Sequence, residues 1–426
     1  MNVFIITIGS RGDVQPFVAL GKGLKAAGHR VTLCTSSSFE PFIRSHGLDY
    51  GHMTDELLKL MDSEAGRDAM ENTNGILGSI KTMIRLAKKA KPINRQMLKD
   101  SWEAAQAAEP DIVLFHPKAL GGVHIAEKLG VPVMMAIPLP MIVPTAESPT
   151  IGFPNWNIGG WYNKLTYAFV SMGFRMYNGT VNKFRRDILN LHKFPKSSGV
   201  LHMADGQPIP VLHPFSTHVV PRPHDWPDNA YITGYWFLNR LNEWEPSAEL
   251  KAFLDGGEAP VYIGFGSMAG RNPRRISNIV IEALKQANAR GIIATGWGGL
   301  VLDDLPERIF KIDKVPHDWL FPHMAAVVHH GGAGTTAAGL RAGRPTIICP
   351  FFGDQPYWGR RVHALGVGSK PIPQKKLTVE KLAIAIREVM MNQTIRQTAE
   401  ALGKKIRSED GVANTVAIIE RMGKKV

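Results

Sequence analysis

The sequence predicts an α/β protein built as two tandem Rossmann-like domains facing a cleft. Three observations lead there. Apolar, β-rich runs alternate with helical periodicity in residues 3–34, and the alternation starts again at 261–294. Three prolines in the seven residues 221–227 divide the two series. The chain has 426 residues, 44% hydrophobic and 20% charged, which is enough apolar material for two cores.

The elements follow in order. Residues 3–8, Val-Phe-Ile-Ile-Thr-Ile, are a continuous run expected of a strand buried on both faces. Gly9-Ser10-Arg11-Gly12-Asp13 breaks it. Val14, Phe17, Val18, Leu20, Leu24 and Ala27 then recur at helical spacing, and Gly28 ends the helix. Residues 31–34 complete a βαβ unit. Residues 111–115 and 132–136 read as strands around a helix near 121–129. The stretch 154–200 is irregular and aromatic-rich. Beyond the prolines, 261–265, 291–294, 326–329 and 346–349 read as strands, 276–287 as a helix, and the chain from about 379 as helical. This gives an N-terminal domain over 1–220, a linker over 221–240, a C-terminal domain over 241–400, and a terminal helix over 401–426 that can pack back on the first domain.

Composition narrows the function. Fifty Lys and Arg against 37 Asp and Glu leave a net charge of +13, which favours anionic partners. A nucleic-acid binder would interleave basic residues with stacking aromatics in a recognised module, and no such module is visible, so no nucleic acid is expected. The two cysteines, Cys34 and Cys349, sit in apolar runs and read as core residues, not as a disulfide framework or a metal cluster. Residues 1–8 lack the basic start and cleavage site of a leader. The longest uncharged apolar run, 131–146, contains four prolines and does not read as a spanning helix. A cytoplasmic protein is expected, with a peripheral contact at the inner face of a membrane left open.

The strongest chemical signal is Val327-Val328-His329-His330-Gly331-Gly332-Ala333-Gly334-Thr335-Thr336, a strand, a glycine loop and a helix start. The glycines let a ligand approach the backbone. The helix dipole, the free N–H groups and the threonine hydroxyls suit a diphosphate, and His330 adds a donor. An unliganded turn is the plainer alternative. A metal at His329 and His330 is disfavoured, because adjacent strand residues point to opposite faces. About twenty residues on comes Pro350-Phe351-Phe352-Gly353-Asp354-Gln355-Pro356-Tyr357-Trp358-Gly359. Asp354 accepts hydroxyl hydrogens and Gln355 donates and accepts, so an Asp-Gln pair walled by Phe352 and Trp358 fits a sugar ring. Asp354 as a simple helix cap is the alternative.

From 315 to 362 the chain resembles the donor-binding signature of nucleotide-sugar glycosyltransferases of the GT-B type, and is most similar to the sterol glucosyltransferases. Gly9-Ser10-Arg11-Gly12-Asp13-Val14-Gln15-Pro16 is similar to the first loop shared by sterol and antibiotic glycosyltransferases. Gly264-Phe265-Gly266-Ser267-Met268 and Val315-Pro316-His317-Asp318-Trp319-Leu320-Phe321-Pro322 also look like segments of the sterol type. The resemblance implies an inverting hexosyltransferase with UDP-glucose as donor substrate, a lipophilic alcohol such as a sterol as acceptor, and neither cofactor nor metal. The N-terminal domain would bind the acceptor and the C-terminal domain the donor. It assigns His330, Gly332, Gly334, Thr335 and Ser267 to the diphosphate, Asp354 and Gln355 to the sugar, and Asp13 to the acceptor's proton. Ser10 and Arg11 share the Asp13 loop, His116 is a second candidate base, and Trp358 lies beside the sugar pair. Two positions depart from the plant pattern. Lys314-Val315-Pro316-His317 stands where a tryptophan would meet uracil, so Val315 and His317 are the candidates for the base. Ala338 stands near the place of a ribose-binding glutamate. UDP, TDP and GDP therefore stay open.

Asp13 is ambiguous by chemistry alone. A carboxylate near its ordinary pKa of ~3.9 takes an alcohol proton only as the new bond forms. The same residue, just before the helix that begins at Val14, can also serve only as its cap. Two further features are surfaces. Seven basic residues and no acid lie between Lys81 and Lys99, on a stretch of helical apolar spacing; they suit either anionic lipid or a solvated face. The aromatics of 156–184 suit an acceptor pocket, an interfacial loop or ordinary packing.

Overall fold

The computed structural model describes residues 1–423 apart from 64–75, 196–197, 240–243, 267–272 and 296–304, with backbone alone at 62, 76–88 and 273. The chain forms two compact units, Met1–Leu238 with Asp410–Val426, and Asn239–Glu409.

The first unit is built on seven parallel strands: β1 Asn2–Ile6, β2 Arg30–Ser36, β3 Asp49–Met53, β4 Ile112–Phe115, β5 Val133–Ala136, β6 Val211–His213 and β7 Ala230–Ile232. Their order is β3-β2-β1-β4-β5-β6-β7. Among the described residues this part of the chain has the helices α1 Arg11–Ala26, α2 Glu40–Ser45, α3 Glu56–Asp62, α4 Ile76–Ala108, α5 Gly122–Leu129, α6 Gly160–Arg175 and α7 Asn178–Asp187. The central strand β1 is buried on both faces over Val3–Ile6, as its unbroken apolar run requires. The apolar face of α1 packs on it through Val14, Phe17, Val18, Leu20 and Leu24.

The second unit repeats the plan with β8 Val261–Gly264, β9 Gly291–Ala294, β10 Ile309–Ile312, β11 Ala326–His329 and β12 Thr346–Ile348, again all parallel, in the order β10-β9-β8-β11-β12. Its helices are α8 Ala248–Asp255, α9 Pro273–Gln286, α10 His317–Leu320, α11 Ala333–Arg341, α12 Gln355–Ala364, α13 Val379–Met391 and α14 Gln393–Arg407. One core lies among α9, α13 and the sheet, and a second on the other face around Tyr262, Leu320, Phe321 and Val327.

A last helix, α15 Gly411–Gly423, belongs to the first unit. Ile418 and Ile419 enter the core beneath α1, and Thr415 Oγ1 accepts a hydrogen bond from Trp236 Nε1 at 2.8 Å. The terminal segment 401–426 is therefore not one helix: its first residues complete α14 in the second unit, and the unit boundary falls between Glu409 and Asp410.

The stretch 221–240 is not a linker. Trp226 is buried and stacks on His213 at 4.6 Å, and the Arg222 guanidinium donates to the carbonyls of Trp226, Pro227 and Ala230. β7 then extends the sheet, and Trp236 packs edge-on against Phe17 at 5.5 Å. The three prolines shape a folded connection that brings the chain to a strand of only three residues. Helix α1 begins three residues before the periodicity indicated. The Asp13 carboxylate accepts the Ser10 N–H, so Ser10 is the cap and the polar loop residues form the first turn.

In both sheets the strand order reverses once, between β1 and β4 and between β8 and β11. Loops leaving the carboxyl ends of the strands at such a reversal diverge and open a crevice, the usual ligand position in open α/β sheets.

Candidate active site

In the first unit the reversal sets residues 7–10, after β1, beside residues 116–121, after β4. The His116 N–H donates to the Ile6 carbonyl at 2.8 Å, which holds the two strand ends together. Asp13 Oδ2 accepts from the Ser10 N–H at 2.8 Å and from the Ser10 hydroxyl at 3.1 Å. Asp13 Oδ1 accepts from Lys118 Nζ at 2.7 Å. Burial alone would push the Asp13 carboxyl up, but the Lys118 ammonium, His116 and the Ser10 N–H together hold it below its ordinary value. The carboxylate is thus anionic at neutral pH and 21% exposed. It caps α1 and keeps one side toward solvent, so the cap and base readings describe the same side chain.

His116 is buried, and burial followed by the nearby Lys118 charge pushes its pKa down to about 4. Its Nδ1 accepts the Lys118 backbone N–H at 3.2 Å. The neutral ring therefore carries its proton on Nε2 and its edge packs toward Phe17, 6.3 Å away. This is the pattern of a structural histidine. Arg11 donates from Nε to Gln15 and covers the Phe42 ring at 4.4 Å, on the outer side of the same turn.

In the second unit, β11 ends at His329 and the chain turns through Gly331 into α11. Gly331 has φ +97°, and a Cβ there would lie 2.6 Å from Ile348 and 3.2 Å from the Gln355 carbonyl oxygen. A Cβ on Gly332 would meet the His330 ring at 2.7 Å, whereas one on Gly334 would meet nothing within 4 Å. The loop is glycine-rich where the backbone must pass close to neighbours, and open at Gly334 on the first turn of α11. His329 is sealed in the core, with Nδ1 accepting the Gly331 N–H at 2.9 Å. His330 is different. Burial pushes its pKa down to about 4, so its ring is neutral, and its Nδ1 is buried without a hydrogen-bond partner among the described residues. Such an atom can take a hydrogen bond from a ligand or a water. Of the two threonines, Thr336 is fully buried and donates to the Gly332 carbonyl at 2.9 Å, so it closes the helix turn. Thr335 is half-buried and remains the hydroxyl available at this end.

The second motif abuts the first, since Gln355 lies against Gly331. Gln355 is buried, and its Oε1 accepts the N–H groups of Phe351 at 2.8 Å and Phe352 at 3.4 Å. Its carbonyl is thus committed to the loop, and only its amide donors are left for a ligand. Trp358 does not wall an open site. It is 1% exposed, lies beneath the loop, and donates from Nε1 to Asp354 Oδ2 at 2.9 Å, fixing the carboxylate one helical turn back. His317 opens α10, with one ring face stacked on Phe321 at 4.3 Å and its edge toward Tyr262. Val315 is half-buried against the core of that face. Ser267 lies outside the described residues, just after Gly266, whose backbone passes near His330. No group of three or more His, Cys, Asp or Glu side chains is placed to hold a metal among the described residues.

Sequence reading missed Lys118. The available signal was its position three residues beyond the end of β4, next to β1 at the order reversal. That adjacency requires the strand order.

Residues 3–146 match the glycosyltransferase family 28 N-terminal domain, and residues 279–422 match the erythromycin biosynthesis protein CIII-like C-terminal domain. A sterol 3-beta-glucosyltransferase of Arabidopsis thaliana is 37% identical over 99% of this chain and 68% of its own length. The chain belongs to the sterol 3-beta-glucosyltransferase family. A sterol 3-beta-glucosyltransferase of Aspergillus fumigatus is 39% identical over 99% of this chain, which spans 30% of that relative's length. Among solved structures, the calicheamicin glycosyltransferase CalG4 matches with a TM-score of 0.71 at 17% identity, covering all of this chain and 99% of that one. The kitacinnamycin glycosyltransferase matches with 0.70 at 18%, covering 99% and 98%. The fold is that of the GT-B glycosyltransferases. In this member of the sterol glucosyltransferase family the two strand-order reversals carry the two sets of polar residues described above.

Proposed function

We propose that the chain transfers glucose from UDP-glucose to the hydroxyl of a sterol, with inversion at the anomeric carbon. The observation that carries this reading is the convergence at one order reversal of His330, the open first turn of α11, and the Asp354–Gln355 loop against Gly331. In this reading the N–H groups of α11, Thr335 and the His330 ring receive the diphosphate. Asp354, held by Trp358, accepts sugar hydroxyls, and the Gln355 amide donates to them. The acceptor oxygen attacks C1 of the glucose while the bond from C1 to the diphosphate oxygen breaks. The diphosphate leaves with the electron pair, and its charge meets fixed dipoles and neutral donors.

The acceptor's proton goes to Asp13. Its depressed pKa makes it a weak base before reaction, so proton transfer accompanies formation of the new C–O bond. Lys118 holds the carboxylate in the ionised form that can receive the proton. No metal is needed for this division of labour. The sterol names of the relatives support the acceptor class, and a bilayer-resident acceptor brings the protein to a membrane surface.

The test is product analysis. Protein, UDP-glucose and a sterol should give UDP and a sterol β-glucoside, identified by mass and by the anomeric coupling constant. An α-glucoside, or transfer from TDP-glucose in preference to UDP-glucose, would refute the mechanism or the donor respectively.

A further inference from the structure

Helix α6 is turned inside out. Its buried side is polar: Asn163 Nδ2 donates to the Ala146 carbonyl at 2.8 Å, and Thr166 Oγ1 accepts the Thr150 N–H at 2.9 Å. The hydroxyls of Tyr162 and Tyr167 donate to the carbonyls of Pro154 and Ser148. Its outward side is apolar. Trp161, Leu165, Phe169, Met172 and Met176 follow at steps of three or four residues, and exposure along the row runs from 49% at Phe169 to 76% at Met176. Nine of the twelve large apolar side chains most exposed among the described residues fall between Trp156 and Ile188. Scattered exposed apolar residues are ordinary, but a single row of this kind marks a surface that something covers.

Charge identifies the cover. Residues 148–204 contain seven Lys and Arg and one acid, Asp187. Of the seven, Arg185 is buried in a pair with Glu127 at 2.6 Å, while Lys164 meets Asp225 at 3.4 Å and Arg186 meets Asp187 at 2.7 Å through exposed side chains; Arg175, Lys183 and Lys193 make no ion pair among the described residues. Helix α7 packs against α4, whose sequence adds seven basic residues and no acid between 81 and 99. A second copy of the chain would bring the same positive field to the contact. A bilayer with anionic headgroups matches both the apolar row and its cationic margin, and tryptophan favours the headgroup level.

We propose that the outward face of α6 lies in the interface of an anionic lipid bilayer, with Trp156 and Trp161 at headgroup depth and Phe169 and Met172 among the acyl chains. This deepens the membrane contact of the proposed function and rests on that reading for its purpose. The basic side chains of α4 from Lys89 onward supply attraction, and α6 supplies insertion.

The experiment is sedimentation of the full chain with sucrose-loaded vesicles of phosphatidylcholine, with and without one quarter phosphatidylglycerol. The variant carries Trp161→Ser, Phe169→Ser and Met172→Ser, all exposed positions of the outward row. The wild type should bind the anionic vesicles with a blue-shifted tryptophan emission. The variant should bind at least ten-fold more weakly while turning over a detergent-dispersed sterol normally. Equal binding of variant and wild type would overturn the proposal, as would equal binding to neutral and anionic vesicles. A wild-type dimer that the variant converts to monomer would assign the face to a second copy instead. Loss of dispersed-sterol turnover in step with binding would assign it to the acceptor site. Vesicle binding through α6 without turnover of any acceptor would sink the glucosyltransfer reading and leave this one standing.

Discussion

Replacing Asp13 by Asn separates a catalytic carboxylate from a helix cap, because the two roles predict costs of different size. The carboxamide oxygen still accepts the Ser10 N–H, now made by Oδ2 at 2.8 Å, so most of the cap survives. What is lost is the ion pair with Lys118, whose side chain is 54% exposed, and the charge in the first turn of α1. An exposed pair contributes roughly 0.2–1 kcal/mol and a first-turn charge roughly 0.3–1 kcal/mol. The stability loss should be about 1 kcal/mol. Loss of a general base costs about 10²–10⁴ in rate, or roughly 3–5 kcal/mol of transition-state stabilisation. The assay is kcat with a dispersed sterol, UDP binding by calorimetry, and denaturant unfolding on one preparation. The expected outcome is a fall in kcat of at least a hundred-fold, intact UDP binding and a small stability change. Ser10→Ala, which weakens the cap but keeps the carboxylate, should lose about 1 kcal/mol and less than ten-fold in kcat. If Asp13→Asn kept kcat within about five-fold while losing the same stability, Asp13 would be a cap and nothing more.

Other expectations follow from the second unit and from the buried histidines. Trp358→Phe keeps the ring but removes the 2.9 Å bond to Asp354. A hydrogen bond to a charged group is worth about 1.5–3 kcal/mol, so the KM for UDP-glucose should rise about ten-fold while affinity for UDP stays the same; an equal loss for both would mean that Asp354 does not touch the sugar. Gly331→Ala forces a side chain onto Ile348 at φ +97° and should cost at least about 2 kcal/mol of stability, read as a lowered denaturation midpoint. Finally, His116 and His330 titrate at about 4, and His124 and His213 at about 3, all lowered chiefly by burial. An unfolded histidine titrates near ~6.5, so between there and the folded values the unfolded chain binds more protons and stability falls as pH falls. Each fully buried ring contributes on the order of 2 kcal/mol of loss at pH 5 relative to pH 7.5. Unfolding free energies that are equal at the two pH values would contradict the neutral burial of these rings.

The alternation of strands and helices was legible because strands buried on both faces write an unbroken apolar run, and β1, β4, β8 and β11 all do so. The glycine loop was legible for a similar reason: Gly331 and Gly332 are demanded by close neighbours, and few residues can replace them. What escaped the sequence depends on partners distant in the chain. Strand β7 is three residues long and is made a strand only by pairing with β6, so composition presented it as part of a proline-rich linker. Lys118 reaches Asp13 across 105 positions, and only the strand order puts them together. Trp358 shares a sequence motif with Asp354 but turns inward, because its helical position places it over the core while its indole N–H still reaches the carboxylate. Helix α6 reverses the ordinary expectation outright. Its polar residues are buried because the irregular loop 146–154 offers them carbonyl and N–H partners, which periodicity does not reveal.

Sterol-dependent glucosyl transfer is measured as release of UDP from UDP-glucose in the presence of a sterol, a carotenoid alcohol, a macrolide or a flavonoid, each against a blank without acceptor. Release stimulated by the sterol above the other three, and abolished by Asp13→Asn, is the predicted result. Stimulation by another acceptor with none by the sterol, or release that is the same in every tube, would contradict it.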